Sequence, residues 1–147
     1  MTAGSPSESD ETPQELMETI DAAGCARLLA AVDVGRLAVV VDGRPRIVVL
    51  NYVMSGDHLL FRTREDALIA GLTQDGGSAP AEFEVDSAFP VALSGWSVIA
   101  TGTLVREDDP ARQAAARAAV RAWAQGERDT VVRLDVEELT GRRVGSL

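Results

Sequence analysis

Residues 83–104 read FEVDSAFPVALSGWSVIATGTL, and this stretch decides the fold. It predicts two strands joined by a loop that contains Pro90. Phe83 and Val85 face one way, and Glu82, Glu84 and Asp86 face the other. That is the period-two pattern of a strand with one buried face. In the second strand Trp96, Val98, Ala100, Gly102 and Leu104 alternate with Ser97, Ile99, Thr101, Thr103 and Val105. Both sets are largely apolar or β-branched, as in a central strand covered on both sides. The other strands are expected to pair around it.

Towards the N-terminus, residues 37–41 and 47–54 are β-rich runs flanking Asp42-Gly43, a hairpin signal. Ser55-Gly56-Asp57 turns the chain into a strand over 58–63, which gives three strands of an antiparallel meander. A short helix is expected over 65–72 and a loop over 74–80. Asp21 is the N-cap of an earlier helix whose apolar stripe is Cys25, Leu28, Leu29 and Val32. Cys25 within that stripe reads as a buried small hydrophobe rather than a redox thiol. Downstream, Asp108-Asp109-Pro110 opens a helix to about residue 125, with Ala116, Ala119, Val120 and Trp123 on its buried face. A last strand covers 130–136.

The sum is a mainly β chain with flanking helices (α+β), an antiparallel six-stranded split β-barrel. One domain is expected over 20–147, preceded by an acidic tail over 1–19. The first dozen residues hold too little apolar surface to offset their ordering entropy. Thr12-Pro13-Gln14-Glu15 nevertheless has the form of a helix start.

At 147 residues the chain suits one domain with a real core. Its few aromatics mean that Val, Leu, Ile and Ala must fill that core. The net charge is −9, and all 14 basic residues are arginines. Glu8, Asp10, Glu11, Glu15 and Glu18 lie before Ile20, where there is no basic residue, so the body is only mildly acidic. Nothing in this balance suits a nucleic-acid partner, which calls for a basic surface. The absence of lysine removes Schiff-base catalysis and the P-loop lysine. No apolar run approaches the roughly 20 residues that cross a bilayer, and no signal peptide is visible, so the expected location is cytoplasmic.

Generic catalytic motifs fail. Gly95-Trp96-Ser97-Val98-Ile99 lacks the second glycine of a nucleophile elbow, and His58 is the only histidine. No Cys/His cluster suits zinc, so no metal is expected, and no GxGxxG follows a strand. Glu84 and Asp86 share a strand face, as a carboxylate pair or as two solvated acids. Arg62-Thr63 ends a strand just before the predicted helix at Glu65. A guanidinium and a hydroxyl there suit a phosphate. An Arg62 paired with Glu65 or Asp66, beside a capping Thr63, suits the same residues.

Five pieces of the chain in order, 34-VGRLA-38, 51-NY-52, 60-LFRT-63, 83-FEVD-86 with 95-GWSVIATG-102, and 140-TGRRV-144, resemble the actinobacterial branch of the pyridoxamine 5'-phosphate oxidase-like flavoproteins, the FMN-binding split-barrel family. The resemblance runs over residues 20–144. It implies a homodimer with two FMN sites at the interface and an FMN-dependent oxidoreductase acting on a small molecule. By this resemblance Phe61, Arg62 and Thr63 border the cofactor, with Arg62 and Thr63 at its phosphate. Leu50, Asn51 and Tyr52, on the strand paired with that one, border the isoalloxazine ring. Trp96 and Ser97 reach toward the flavin held mainly by the other protomer.

Each of these residues also has a structural role open to it, Tyr52 and Trp96 as core aromatics above all. Trp96 and Ser97 point to opposite faces, so their side chains cannot line one pocket. The chain departs from the family at Leu68, where a phosphate-contacting lysine is usual, and at Leu50, where proline is common. It also lacks the C-terminal substrate-binding segment of pyridoxal phosphate-forming members. The fold equally hosts non-catalytic binders of deazaflavin, haem or other ligands, and a phosphate site short of one cation suits that alternative.

Overall fold

The spine of the molecule is the hairpin expected over 83–104. β6 (Ala79–Phe89) and β7 (Ser94–Arg106) pair antiparallel along their whole length, from Ala79 opposite Leu104 to Phe89 opposite Ser94. The computed structural model describes residues 17–89, 93–120 and 129–145. Phe83, Val85, Val98, Ala100 and Leu104 are fully buried on the inner face of the spine. Ser97, Ile99, Thr101 and Thr103 on its outer face are only half-buried.

On its other side β7 pairs with β8 (Thr130–Val144), a strand that continues eight residues beyond the expected end at 136. The register shifts between Thr101 and Gly102. A Cβ on Gly102 would lie 2.0 Å from the Asp135 carbonyl oxygen, so only glycine allows this approach of the two backbones. Such an irregularity bends a strand and helps a sheet curl.

The described residues form an eight-stranded antiparallel curled sheet in the order β3-β2-β6-β7-β8-β5-β4, with β1 (Met17–Ile20) added beside β8. The expected six strands are therefore corrected to eight, for two local reasons. β1 lies within the stretch assigned to the acidic tail. It pairs from Met17 opposite Val144 to Ile20 opposite Gly141, a long-range partnership with no local signal. The run over 47–54 is divided at Tyr52 into β3 (Arg44–Asn51) and β4 (Val53–Ser55). The Tyr52 N–H still donates to the Asp33 carbonyl at 3.0 Å, one rung past the Val34–Asn51 pair, and from Val53 the chain changes partner from β2 to β5. Residues 1–16, which include the proposed helix start at Thr12, lie outside the described residues.

That break also corrects the meander. β2 (Val34–Val41) and β3 form the expected hairpin, with Asp42 and Gly43 both at positive φ, the two-residue turn whose twist matches its strands. β5 (His58–Thr63), however, pairs with β4 and β8 and not with β3. β3 and β4 thus stand at the two ends of the strand order, although they are consecutive in the chain.

Among the described residues three α-helices cover parts of this sheet. α1 (Ala22–Ala31) begins at Asp21 as expected, with the Gly24 N–H donating to Asp21 Oδ1 at 2.7 Å. It packs on β8 through Cys25 and Leu29, both fully buried, opposite Gly141, where a Cβ would lie 2.6 Å from the Cys25 sulfur. Burial pushes the Cys25 thiol up, so it is held as a neutral apolar group. α2 (Leu68–Leu72) is five residues long and starts three residues later than expected. α3 (Pro110–Ala119) has Asp109 as its cap and proline in its first turn. Ala116 and Val120 bury against Leu60 and Val131, but Ala119 is exposed, and Trp123 lies outside the described residues. No helix among the described residues is long and apolar enough to cross a membrane.

The N-terminus of α3 is fixed by a charge that the sequence did not single out. Glu107 is buried, 1% exposed. Its carboxylate accepts from Arg133 Nη1 at 2.9 Å and from the Asp109 N–H at 3.1 Å, with Arg112 Nε 3.5 Å away. A buried carboxylate is tolerated only when paired and hydrogen-bonded. Glu107→Gln keeps the size and removes the charge. We expect it to lower stability by roughly 3 kcal/mol in denaturant unfolding, the scale for breaking a buried ion pair. An unchanged midpoint would mean that β8 and α3 do not depend on this pair.

Candidate functional site

Three places on the sheet hold the residues singled out by sequence. The first is the break between β3 and β4. Leu50 is buried at 8% exposure and Asn51 lies opposite Val34. Tyr52 is a core aromatic. Its ring meets Phe83 edge-on at 4.8 Å, and its hydroxyl donates to the Leu29 carbonyl on α1. Burial, reinforced by the Asp33 charge, pushes the Tyr52 hydroxyl far above its usual range. Tyr52 thus offers no hydroxyl to a ligand. What this region offers is backbone, because among the described residues β3 has a strand partner on one side only.

The second place is the end of β5. Phe61 is fully buried against Phe83, ring centroids 5.2 Å apart, and Thr63 is buried at the last strand position. Arg62 points to the opposite face, where Nη1 donates to the carbonyls of Arg117 at 3.1 Å and Val120 at 3.3 Å. These are C-terminal carbonyls of α3, the kind of acceptor that a helix cannot satisfy internally. Strand alternation therefore separates Arg62 from Thr63, and their side chains do not converge on one ligand. The expected pairing of Arg62 with Glu65 or Asp66 is also replaced. Arg64 pairs with Asp66 at 3.0 Å, and Glu65 binds Arg106 at 2.9 Å, Thr130 and Gln74.

The hydrogen bonds from Thr130, Arg106 and Gln74 hold the Glu65 carboxyl down to about 2. Sequence reading missed this cluster because Arg106 and Thr130 are distant in the chain. It opens on a polar cavity of about 720 Å³, where Arg64 and Arg106 meet Glu65, Asp66, Glu107 and Asp129. Acids outnumber arginines along that lining. α2, at five residues, adds less at this end than the longer expected helix would have done.

The third place is the outer face of the spine. Trp96 packs partly buried against the core, and Ser97 points the other way. Ser97 lies opposite Arg142 on β8 and opposite Asp86 on β6, and Arg142 in turn lies opposite Thr19 on β1. A cleft of about 530 Å³ opens here, lined by Thr19, Ser97, Ile99, Leu139, Thr140 and Arg142, among others. Beside it Arg36 contacts both Asp86, at 3.2 Å, and Glu84, at 3.6 Å. Glu84 and Asp86 thus sit half-exposed on one face, tied by an arginine. Among the described residues no group of three His, Cys, Asp or Glu is placed to hold a metal ion.

Burial, then the hydrogen bond and charge of Asp86, push the Glu84 carboxyl up to about 7, against the opposing effect of Arg36. A raised folded-state value means that the folded chain keeps a proton that the unfolded chain releases between pH about 4.5 and about 7. Stability from this group is present below that window and is lost as pH rises through it. Glu84→Gln should therefore flatten the decline in melting temperature across that window. A variant whose pH profile overlays that of the parent would remove Glu84 as the titrating group.

A family model described as pyridoxamine 5'-phosphate oxidase matches residues 21–143. An uncharacterised protein of Mycobacterium tuberculosis is 30% identical over 146 residues, covering 98% of this chain and 95% of its own. Among solved structures, an FAD-binding protein from Mycobacterium smegmatis is 30% identical with a TM-score of 0.69, covering 86% of this chain and 99% of its own. An FAD-binding protein from Mesorhizobium loti has a TM-score of 0.75 at 24% identity, covering 89% of this chain and 98% of its own.

Proposed function

We propose, for a chain that belongs to the pyridoxamine 5'-phosphate oxidase family, that it binds a flavin, FMN in the first instance, as a split-barrel homodimer and serves as an oxidoreductase toward a small molecule. The observation that carries this reading is the likeness to the M. smegmatis FAD-binding protein, 30% identical across nearly all of that chain. When bound, the flavin supplies hydride or electron transfer, and the protein supplies position and electrostatics.

The residues fit the ring better than the phosphate. Backbone groups on the open edge of β3, beside Leu50 and Asn51, suit the polar rim of an isoalloxazine. Thr63 and Arg64 are the groups at the β5 end that would hold the phosphate. Arg62 could join them only by leaving the α3 carbonyls. Ser97 is the spine residue whose side chain faces outward, where a partner's flavin would lie. Trp96 would contribute at most an edge.

A second reading is favoured by one observation: Arg62, Arg64 and Arg106 at the β5 end are all engaged by groups of the chain itself. A non-catalytic module that binds deazaflavin, haem or another ligand would tolerate that. The absorbance spectrum of protein reconstituted with each ligand discriminates, and a flavin band without a Soret band is expected. A Soret band alone would replace the first reading with the second.

Leu68 gives the quantitative test. It is the first residue of α2 and 39% exposed, so a lysine there buries no charge. Leu68→Lys should raise FMN affinity roughly tenfold through a charge-assisted contact. Riboflavin, which lacks the phosphate, should gain nothing. Equal gains for both ligands would remove the phosphate from the β5–α2 loop.

The homodimer is supported by exposed apolar surface. Val40, Ile47 and Val49 are 64%, 74% and 65% exposed on the outer face of the β2–β3 hairpin. Light scattering should give about twice the 15.5 kDa chain mass, and Ile47→Glu should lower it to one chain. A parent protein of single-chain mass at micromolar concentration would end the dimer proposal.

A further inference from the structure

We propose that the cleft on the outer face of β1, β7 and β8 is a binding site for a small planar monocarboxylate, held by Arg142. Three observations converge on it. The strand register sets Thr19, Arg142 and Ser97 in one row across three strands, so their side chains share a face. The next row brings Thr140 and Ile99 together on that face. The cleft they line, about 530 Å³, is of the size that encloses a small organic ligand.

The charge of the cleft sets the ligand class. Arg36, Arg64, Arg106, Arg112 and Arg133 each have a carboxylate partner. Arg142 makes no ion pair with the described residues, although the chain carries nine more acidic than basic residues. Among the described residues it is the only charged one lining the cleft. A guanidinium presents paired N–H donors that match a carboxylate in a fork, a geometry in which arginine excels. The hydroxyls of Thr19, Ser97 and Thr140 can serve the remaining oxygen lone pairs.

Ile99 supplies apolar lining on this face, whereas the Leu139 side chain, opposite Ala100, packs toward the core; a strand face suits a flat body. Asp86, opposite Ser97, and Glu84, opposite Ile99, sit just beyond the cleft. Their proximity disfavours a dianion such as phosphate and leaves room for a single negative charge. β8 is braced from behind at Gly141 by Ile20 and Cys25, which keeps the row in place.

This site needs no cofactor, although Ser97 also figures in the flavin reading, and a carboxylate here would lie beside a flavin held by a partner. The test is calorimetric titration of flavin-free protein with benzoate, benzamide and inorganic phosphate. Benzoate should bind once per chain, benzamide at least about tenfold more weakly, and phosphate not measurably. Arg142→Gln should weaken benzoate at least about tenfold, the scale of a lost charge-assisted contact, and Arg142→Lys should restore part of it. Arg142 is exposed, so the melting temperature of both variants should match the parent. Equal benzoate affinity in parent and Arg142→Gln, equal binding of benzoate and benzamide, or no benzoate binding would overturn the proposal. A parallel FMN titration separates the two readings. Benzoate binding without FMN binding sinks only the flavin, and the reverse sinks only this site.

Discussion

Successive side chains of a strand leave on opposite faces, and in this protein one face of the long spine strand is already spent on the core. Val98, Ala100 and Leu104 fill the inner face of β7 completely. Ser97, Ile99 and Thr101 are thereby committed to the outer face, where they meet Arg142, Thr140 and Glu138 of β8 and Asp86, Glu84 and Glu82 of β6. The same rule divides β5, with Phe61 in the core and Arg62 under α3. Pairs that are adjacent in sequence, Trp96 with Ser97 and Arg62 with Thr63, are for that reason distant in function. A ligand site here has to be assembled from residues two apart on one strand and from their cross-strand partners.

The charged residues divide into those that hold the fold and those that remain available. The buried Glu107, with the part-buried Arg133 and the exposed Arg112, joins the end of β7 to β8 and α3. Arg62 serves the end of α3, and Glu65 ties the β5–α2 loop to β7 and β8 through Arg106 and Thr130. Each of these interactions spends a cation that a phosphate would otherwise use. The two open sheet edges and the outer cleft contain far fewer such commitments. This division is why backbone edges and Arg142, rather than the arginines at the β5 end, carry the binding chemistry proposed here.

Under the proposed dimer, the outer face would also link assembly to binding. Its apolar strip on β2 and β3 lies in the same rows as the Arg36, Glu84 and Asp86 cluster and continues to the cleft at Ser97. A second chain packed against the strip would cover the carboxylates and deepen the cleft. Burial that already raises Glu84 in one chain would then act more strongly.

Much of this was legible in the sequence. The spine hairpin, the Asp42-Gly43 turn, the helix starts at Asp21 and Asp109 and the buried Cys25 each follow from a local pattern of a few residues, and local patterns set local structure. The family resemblance was legible too, because its pieces keep their order along the chain. Other features required the folded chain. β1 has no strand signal and exists through its pairing with β8. Tyr52 reads as part of one strand, yet the chain changes partner there, from β2 to β5, so that the run becomes two strands at opposite ends of the order. Arg62 looks like a phosphate ligand until α3 arrives above it with unsatisfied carbonyls. Glu107, Arg106 and Thr130 carry no motif at all. Local sequence specifies backbone periodicity and turns over a few residues. Which partner a side chain finds depends on strand register and helix placement, contacts between positions tens of residues apart that only the folded, curled sheet brings together.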